Sequence, residues 1–360
     1  MSARPRHRTP APTGFAPLAD EALSPDWLLP GIHPEDWPEP MASPELPRAI
    51  WDEALGDIAR DILARPSRQF RARLCQLAWR LADGPGDAPA RLAATVEIVH
   101  AGSLIIDDIE DGSTRRRGGS CLHLIHGLPR ALNAGSWMYF WAMSQVDQLP
   151  LPSGSRDRIR GALVDALYRG HLGQALDLSV SVGRMPRAWI YRAVVSTTML
   201  KTGALMELSA RVAALAADAP PARIEALARF GRRLGVGLQM LDDFGNLTAP
   251  AAEARDSKAL EDLRNGRPTW PWARAAMDLD DGVFDDLQAA VRALDDQEDP
   301  DGTRARRLAA ALRMAVGFKG RRQAGAYLDH ALEDLRAQVG DRAELSLLAA
   351  EIERLEASYG

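Results

Sequence analysis

The sequence is poor in cysteine and has no long apolar run. Its 360 residues include two cysteines, Cys75 and Cys121, too few for a disulfide framework or a four-ligand zinc site. No stretch approaches the roughly 20 consecutive apolar residues of a membrane-spanning helix, and the first residues do not resemble a secretory signal. We therefore expect a cytoplasmic protein without stable membrane insertion.

The chain also lacks an excess of basic residues. It has 44 Lys and Arg against 49 Asp and Glu, a net charge of −5 at pH 7, whereas nucleic-acid-binding proteins need a basic surface. We therefore expect no nucleic-acid partner. A loop of the GxxxxGK type is absent too, so phosphates are not held as they are in nucleotide hydrolases.

Strand signals are scarce, and helical periodicity dominates after an unusual start. Eleven of the 24 prolines lie between Pro5 and Pro47, which predicts an irregular arm over residues 1–47. From residue 48 to 360, apolar residues recur every three or four positions, which predicts one all-α domain. The predicted helices are 48–64, 67–82, 89–111, 129–147, 155–183, 186–217, 220–247, 257–278, 282–294, 302–317 and 319–357.

The first acidic cluster closes the predicted helix 89–111. Asp107 and Asp111 are four residues apart and share a helix face, with Asp108 beside them. Like charges at this spacing repel unless a cation lies between them. Hard oxygen ligands of this kind suit Mg²⁺.

A second acidic cluster occurs far downstream. Its polar residues form one helical stripe with i, i+3, i+4 and i+7 spacing, and they are Gln239, Asp242, Asp243 and Asn246. A single Asp pair is typical of a solvated helix end. Two such pairs, each within an apolar helix, favour metal binding instead.

Cationic residues accompany both clusters. Arg115-Arg116-Arg117 follows the first, and Lys201 and Lys258 lie in later predicted helices. Mg²⁺ with few protein ligands completes its coordination with water and phosphate oxygens, while Arg binds phosphate through two N–H groups at once. Together these residues predict a diphosphate-binding site.

The order of these motifs resembles that of the trans-isoprenyl diphosphate synthases, and their wording is most like the eukaryotic-type geranylgeranyl diphosphate synthases. The matching segments are Pro66–Arg71, Glu97–His100, Asp107–Asp111, Arg116–Gly118, Gly173–Asp177, Lys201–Gly203, Gln239–Asp243 and Glu261–Arg267. The resemblance implies an isoprenoid-synthase-type helical bundle around a central apolar cavity, with the two acidic motifs facing each other, and a homodimer.

The resemblance also implies roles for individual residues. Three Mg²⁺ ions are expected, and their ligands would be Asp107, Asp111 and Asp242, supported by Asp108 and Asp243. The positions that match the allylic diphosphate site are Arg116, Lys201, Gln239 and Lys258, and the region of Lys201 and Thr202 would stabilise the allylic cation. The positions that match the isopentenyl diphosphate site are Arg68, Arg71, His100 and Arg117.

The implied activity is head-to-tail condensation of isopentenyl diphosphate with an allylic prenyl diphosphate. Gly102 and Ser103 are small where short-chain synthases have aromatic residues, so the tunnel for the product can continue past them. Tyr139 and Phe140 supply bulk further along, although aromatic residues at helical spacing are often plain core. We therefore expect a C20 product, geranylgeranyl diphosphate.

Two alternatives stay open. The loop Pro66-Ser67-Arg68 and Arg267 depart from the glycine and lysine usual in the family, which would suit a class I terpene cyclase of the same fold acting on a finished polyprenyl diphosphate. A non-catalytic partner subunit of a synthase is the second alternative. Such subunits commonly lack the acidic motifs that this chain has.

Overall fold

The computed structural model describes residues 47–247, 258–296, 299 and 302–358. The predicted arm, residues 1–47, lies outside these ranges except for Pro47, so its boundary stays a prediction. The chain divides into two compact units. The first holds the residues up to Phe70 together with Ala94–Gln148, and the second holds Arg71–Ala93 together with Leu149–Gly360.

The described residues are almost entirely helical, which confirms the predicted all-α class. In chain order the helices are α1 (Arg48–Trp51), α2 (Asp57–Ala64), α3 (Phe70–Leu81), α4 (Ala90–Glu110), α5 (Leu122–His126), α6 (Leu128–Asp147), α7 (Ser153–Ser179), α8 (Arg187–Thr198), α9 (Ala204–Ala216), α10 (Pro221–Asn246), α11 (Lys258–Arg264), α12 (Trp270–Asp278), α13 (Asp281–Asp296), α14 (Thr303–Leu312), α15 (Phe318–Val339) and α16 (Ala343–Ser358). Three π-helical turns continue them at Asp52–Gly56, Met199–Gly203 and Arg313–Gly317.

The structure differs from the predicted helices at several places, among them the short helix α5 (Leu122–His126), which lies in none of the predicted ranges. The predicted helix 257–278 is interrupted after Arg264, where Gly266 has φ +60°. The predicted helix 319–357 ends at Val339, because Gly340 has φ +79° and the next helix begins at Ala343. A further difference is a hairpin after α4. Its strands are too short to show the period-2 pattern that predicts a strand.

That hairpin joins two short antiparallel strands in the first unit. Strands β1 (Arg115–Arg116) and β2 (Gly119–Ser120) pair with Arg115 opposite Ser120. The two residues that connect them, Arg117 and Gly118, both have positive φ, as in the type I′ turns that suit two-residue hairpins. The hairpin holds the arginine run that follows the first acidic cluster.

Helices α4 and α6 of the first unit cross at a pair of glycines. A Cβ atom on Gly102 would lie 2.8 Å from the carbonyl oxygen of Gly135 and 3.0 Å from Cβ of Met138. A Cβ on Gly135 would lie 2.9 Å from Cδ1 of Ile106. Both glycines are therefore needed for the close approach of these helices.

In the second unit, α10 packs against α9 and α15. Gly231 and Gly235 bring α10 close to the backbone of α9 and of the π-helical turn before it, since added Cβ atoms would lie 2.6 and 2.7 Å from the carbonyl oxygens of Met206 and Thr202. On the α15 side, Phe244 packs directly onto Gly320, where any Cβ would overlap the ring. Two helices thus fix the segment of α10 that carries the second acidic cluster.

A buried carboxylate ties three helices of the second unit together. Glu207 on α9 is 2% exposed and accepts hydrogen bonds from Arg169 at 2.8 Å, Arg232 at 2.8 Å and Arg211 at 2.9 Å. Burial alone would raise the pKa of Glu207, but the three guanidinium groups outweigh it and lower the pKa to about 2. Glu207 is therefore ionised and holds α7 and α10 against α9.

Among the described helices, none is both long and apolar enough to cross a bilayer.

Candidate functional site

The first acidic cluster lies at the end of α4, in the first unit. Asp107 and Asp111 are both half-buried, and the Asp111 N–H donates to the Asp107 carbonyl at 2.9 Å, so the helical turn continues through Asp111. Helical geometry puts both carboxylates on one face. The Tyr139 side chain of α6 lies near them, and burial together with the charges of Asp107 and Glu110 raises its pKa.

Asp108 has a different environment from its neighbours. It is 2% exposed, and its Oδ1 accepts a 2.7 Å hydrogen bond from Nε of Arg116 and a second, shorter one from the same guanidinium. Through these two hydrogen bonds Asp108 anchors the hairpin that carries Arg116 and Arg117. Burial and the adjacent Asp108 also raise the pKa of the Cys121 thiol to about 12, so this cysteine is protonated.

Sequence reasoning missed a second anchor of the same hairpin. Arg65, at the end of α2, donates to the carbonyls of Arg116 at 3.0 Å and Ser120 at 2.9 Å. Its Nε is paired with Asp61 at 2.6 Å. No signal local to the hairpin could have revealed Arg65, since it is about 50 residues upstream in the sequence.

The four residues predicted to bind isopentenyl diphosphate are divided between the units. Arg68, His100 and Arg117 belong to the first unit and Arg71 to the second. Arg68 is exposed in the segment before α3, where a 3.2 Å hydrogen bond from the Gln69 N–H to the Ser67 hydroxyl shapes the chain. Their shared role stays a prediction.

The second acidic cluster lies near the end of α10. Gln239 Oε1 accepts from the Thr202 hydroxyl at 2.8 Å, and Gln239 Nε2 donates to Asp243 at 2.7 Å. The backbone N–H of Trp270 donates to the other Asp243 oxygen at 2.9 Å. Asp242 is half-buried and accepts a 3.3 Å hydrogen bond from Asn246. Gln239 and Thr202, predicted for one site, are thus in direct contact.

The two aspartates of this cluster, Asp242 and Asp243, differ in burial. Asp243 is 8% exposed, and burial, aided by the charges of Asp242 and Asp262, raises its pKa to about 8 despite its hydrogen bonds. Both Asp243 oxygens are occupied by hydrogen bonds from Gln239 and Trp270. Asp242 is the more accessible of the two, which fits its predicted role as the metal ligand.

Lys201 lies in the π-helical turn between α8 and α9, opposite the Gly173–Asp177 motif. Its ammonium group pairs with Asp177 at 2.9 Å. Gly173 allows this approach, because a Cβ there would lie 2.8 Å from Cγ of Lys201. Arg267 donates to the Asp177 carbonyl, so three of the matching motifs meet at this point.

The predicted chain-length residues occupy different environments. Gly102 lies in the contact between α4 and α6, so its small size serves helix packing. Ser103 is half-buried, and its hydroxyl donates to the His100 carbonyl at 2.9 Å. Tyr139 is half-buried near Asp107, whereas Phe140 is 68% exposed. Ser103 and Tyr139 are accordingly the better candidates for contact with a bound chain.

Lys258 and the carboxylates predicted to bind metal are the remaining candidate ligand-binding residues. The side chain of Lys258 lies outside the described residues, although its backbone begins α11. Over the described ranges, no group of three or more His, Cys, Asp or Glu side chains is arranged to hold one ion by itself. Asp107 and Asp111 in the first unit, and Asp242 in the second, each supply carboxylate oxygens of the kind that suits a hard cation with water and phosphate as its other ligands.

The chain resembles known proteins over most of its length. The family model described as polyprenyl synthetase matches residues 52–305. The geranylgeranyl pyrophosphate synthase of Eremothecium gossypii is 28% identical over 229 residues, which cover 62% of this chain and 70% of that protein. The quiannulatene synthase of Emericella variicolor is 31% identical over 219 residues, which are 60% of this chain but 28% of that protein.

A solved structure shows the same fold. The polyprenyl synthase from Caulobacter crescentus, complexed with calcium and isoprenyl diphosphate, superposes with a TM-score of 0.68 at 24% identity, covering 87% of this chain and 92% of that one. The predicted isoprenoid-synthase-type helical fold is thereby confirmed.

Proposed function

Because the chain belongs to the polyprenyl synthetase family and is a trans-prenyltransferase, we propose that it condenses isopentenyl diphosphate head-to-tail with an allylic diphosphate in a Mg²⁺-dependent reaction that gives geranylgeranyl diphosphate. The observation that carries the proposal is that the three aspartates at the end of α4 have different environments. Asp107 and Asp111 are half-buried on one helix face, while Asp108 is committed to Arg116.

We assign metal binding to three carboxylates, Asp107 and Asp111 in the first unit and Asp242 in the second. Their oxygen donors are the type that Mg²⁺ prefers. The Caulobacter crescentus protein is complexed with calcium and isoprenyl diphosphate, which supports a divalent cation and a diphosphate as ligands here. When bound, Mg²⁺ supplies positive charge that stabilises the departing diphosphate.

The basic residues around these carboxylates have a complementary role. Arg116, Lys201 and Lys258 would hold the allylic diphosphate, and Gln239 would be a further contact. The Lys201 ammonium is fixed by Asp177 at 2.9 Å, so little side-chain freedom is lost when it binds an anion. A fixed cation stabilises developing negative charge better than a mobile one, because it needs no reorganisation during the reaction.

Arg68, Arg71, His100 and Arg117 would bind isopentenyl diphosphate and orient its alkene carbon toward the allylic carbon. Arg117 has a defined position, because the hairpin that carries it is anchored by Arg65 and by the Asp108–Arg116 pair. The allylic C–O bond breaks and pyrophosphate leaves, the alkene of isopentenyl diphosphate forms the new carbon–carbon bond, and a proton is then lost, in our proposal to the released pyrophosphate. Water must be excluded, since it would capture the allylic cation.

Ser103→Phe tests the assignment of product length. A phenyl ring at this half-buried position on α4 should block the tunnel one turn before Asp107, so the main product should shorten from C20 to C15. Gly102 cannot serve for this test, because a larger residue would collide with Gly135. Leu104→Phe on the neighbouring helix face is the control and should leave the product unchanged. A C20 product from Ser103→Phe would contradict the assignment.

We also propose that the protein is a homodimer. Val164, Tyr168 and Leu172 recur every four residues on α7 and are 52%, 65% and 45% exposed. Such an apolar stripe on a surface helix suits pairing with a second copy. Light scattering should give a dimer mass for the wild type and a monomer mass for Tyr168→Glu. A monomeric wild type would refute the proposal.

Product analysis by mass spectrometry tests the proposed reaction. The purified protein is incubated with Mg²⁺, isopentenyl diphosphate and, in turn, dimethylallyl, geranyl or farnesyl diphosphate, with an EDTA control. We expect elongation to geranylgeranyl diphosphate, abolished by EDTA. In separate incubations with Mg²⁺ and farnesyl or geranylgeranyl diphosphate alone, cyclic hydrocarbons would identify a terpene cyclase instead. No product from any starter would indicate a non-catalytic subunit.

A further inference from the structure

One stretch of the second unit has a charge opposite to that of the whole chain. From residue 303 to residue 328 the sequence contains six arginines, one lysine and no Asp or Glu, whereas the whole chain has a net charge of −5. This stretch forms α14, the π-helical turn Arg313–Gly317 and the first half of α15. It is therefore a continuous, strongly basic helical element.

The inner face of this element is already used for packing. Leu312, Val316, Ala324 and Leu328 are buried, and Gly320 lies against Phe244 of α10. The apolar side chains of the inner face are therefore explained by packing within the second unit.

The outer face carries large apolar side chains beside the basic ones. Met314 is 86% exposed and Phe318 is 84% exposed, and no other large apolar side chain in the described ranges is more exposed than these two. They are one turn apart, and Arg307, Arg313 and Arg322 are exposed on neighbouring turns. Single exposed apolar residues are ordinary, but an adjacent pair flanked by arginine is not.

A third apolar side chain extends this surface. Met277 on α12 is 56% exposed, and α12 packs against the π-helical turn. The next residue, Asp278, pairs with Lys319 at 2.8 Å, which joins α12 to α15 and neutralises that lysine locally. We call the surface formed by Met277, Met314 and Phe318 the Met314 patch. Arg313 and Arg322 are then the exposed cations that flank it.

We propose that the Met314 patch docks the protein onto anionic lipid membranes. Apolar side chains that enter the boundary between headgroups and acyl chains, flanked by Lys or Arg that contact anionic headgroups, are the mode by which amphipathic helices bind the membrane surface. The charge of this stretch complements an anionic surface, although the chain as a whole is acidic. Docking of this kind needs no membrane-spanning helix and does not depend on the product of the enzyme.

The size of the patch favours a lipid surface over a protein partner. Three partly exposed side chains offer a few hundred Å² at most, since even a large aromatic side chain buries about 150–250 Å². Specific protein interfaces bury about 800 Å² on each partner. A fluid bilayer accepts a small apolar patch without a shaped partner surface, and the arginines add attraction that falls with salt.

Vesicle co-sedimentation tests the proposal with the full chain. We expect the wild type to pellet with vesicles of phosphatidylcholine and phosphatidylglycerol, to pellet much less with phosphatidylcholine alone, and to be released by salt. Phe318→Ser should lower the partition coefficient about tenfold. Arg313→Gln combined with Arg322→Gln should lower it by more than about tenfold, since each basic residue near an anionic surface contributes about fivefold.

Matched controls separate the patch from general surface effects. Leu347→Ser removes another apolar side chain, 50% exposed on α16, and Arg229→Gln combined with Arg336→Gln removes two other exposed arginines. Both controls should pellet like the wild type, and thermal melts should show every variant folded. The proposal is overturned by equal pelleting with both vesicle types, by pelleting with neither, or by equal losses in patch and control variants. It is also overturned if Phe318→Ser changes the oligomer mass but not vesicle binding, since a protein would then be the partner.

Discussion

Replacing Asp107 with asparagine is expected to lower turnover by at least about a hundredfold while the protein stays folded. Asp107 is half-buried on the same helix face as Asp111, and we assign both to metal binding. An amide is a neutral and weaker ligand for Mg²⁺, so the charge that stabilises the leaving diphosphate would be lost. Removal of a single stabilising group at such a point typically costs 10²–10³ in rate.

The control for this experiment is Asp147→Asn, which removes an exposed carboxylate at the end of α6. It should keep wild-type turnover. Raising the Mg²⁺ concentration should restore part of the activity of Asp107→Asn, because the defect lies in metal affinity, whereas a folding defect would not respond. Wild-type turnover of Asp107→Asn at low Mg²⁺ would contradict the metal assignment.

Replacing Glu207 with glutamine is expected to lower the free energy of unfolding by about 3 kcal/mol, as for other broken buried ion pairs. Glu207 is 2% exposed and bonds three arginines from α7, α9 and α10. Glutamine has almost the same shape, so the loss comes from the missing charge and not from a cavity. Urea denaturation at pH 7 measures the difference.

The pH dependence gives this prediction a second readout. The pKa of Glu207 is lowered from 4.5 to about 2 in the folded protein, so its ionised form stabilises the fold. That contribution is fully present above about pH 4.5 and is lost as the pH falls toward about 2. The difference between wild type and Glu207→Gln should shrink over the same interval.

Glu225→Gln is the control for Glu207. Glu225 is an exposed partner of Arg211, at 2.6 Å, and exposed ion pairs contribute about 1 kcal/mol or less. Its removal should therefore have a small effect. Equal free energies of unfolding for the two variants would show that the buried cluster does not hold the three helices together.

The sequence predicted local features of the site better than contacts between distant residues. The shared face of Asp107 and Asp111 follows from helical spacing alone. The pairing of Asp108 with Arg116 does not, because it depends on a hairpin whose two-residue strands have no detectable period. In the sequence the small Gly102 is compatible with either a product tunnel or a close helix contact, and the structure shows the contact with Gly135.

Long-range partners were beyond sequence reasoning for a related reason. Lys201 and Asp177 were both recognised as parts of motifs, but their 2.9 Å contact results from the packing of two helices. Within α9 the sequence shows Glu207 with Arg211 four residues later, a spacing that by itself indicates only an ordinary helical ion pair. The cluster forms because tertiary structure brings Arg169 of α7 and Arg232 of α10 to the same carboxylate.

Calorimetric titration with pyrophosphate tests the central claim most directly, because pyrophosphate binds without reacting. The claim is that Asp107, Asp111 and Asp242 hold the diphosphate through Mg²⁺. Pyrophosphate should bind the wild type only when Mg²⁺ is present, and binding should be much weaker for Asp107→Asn and for Asp242→Asn. Equally tight binding in EDTA, or unchanged binding by both variants, would contradict the account.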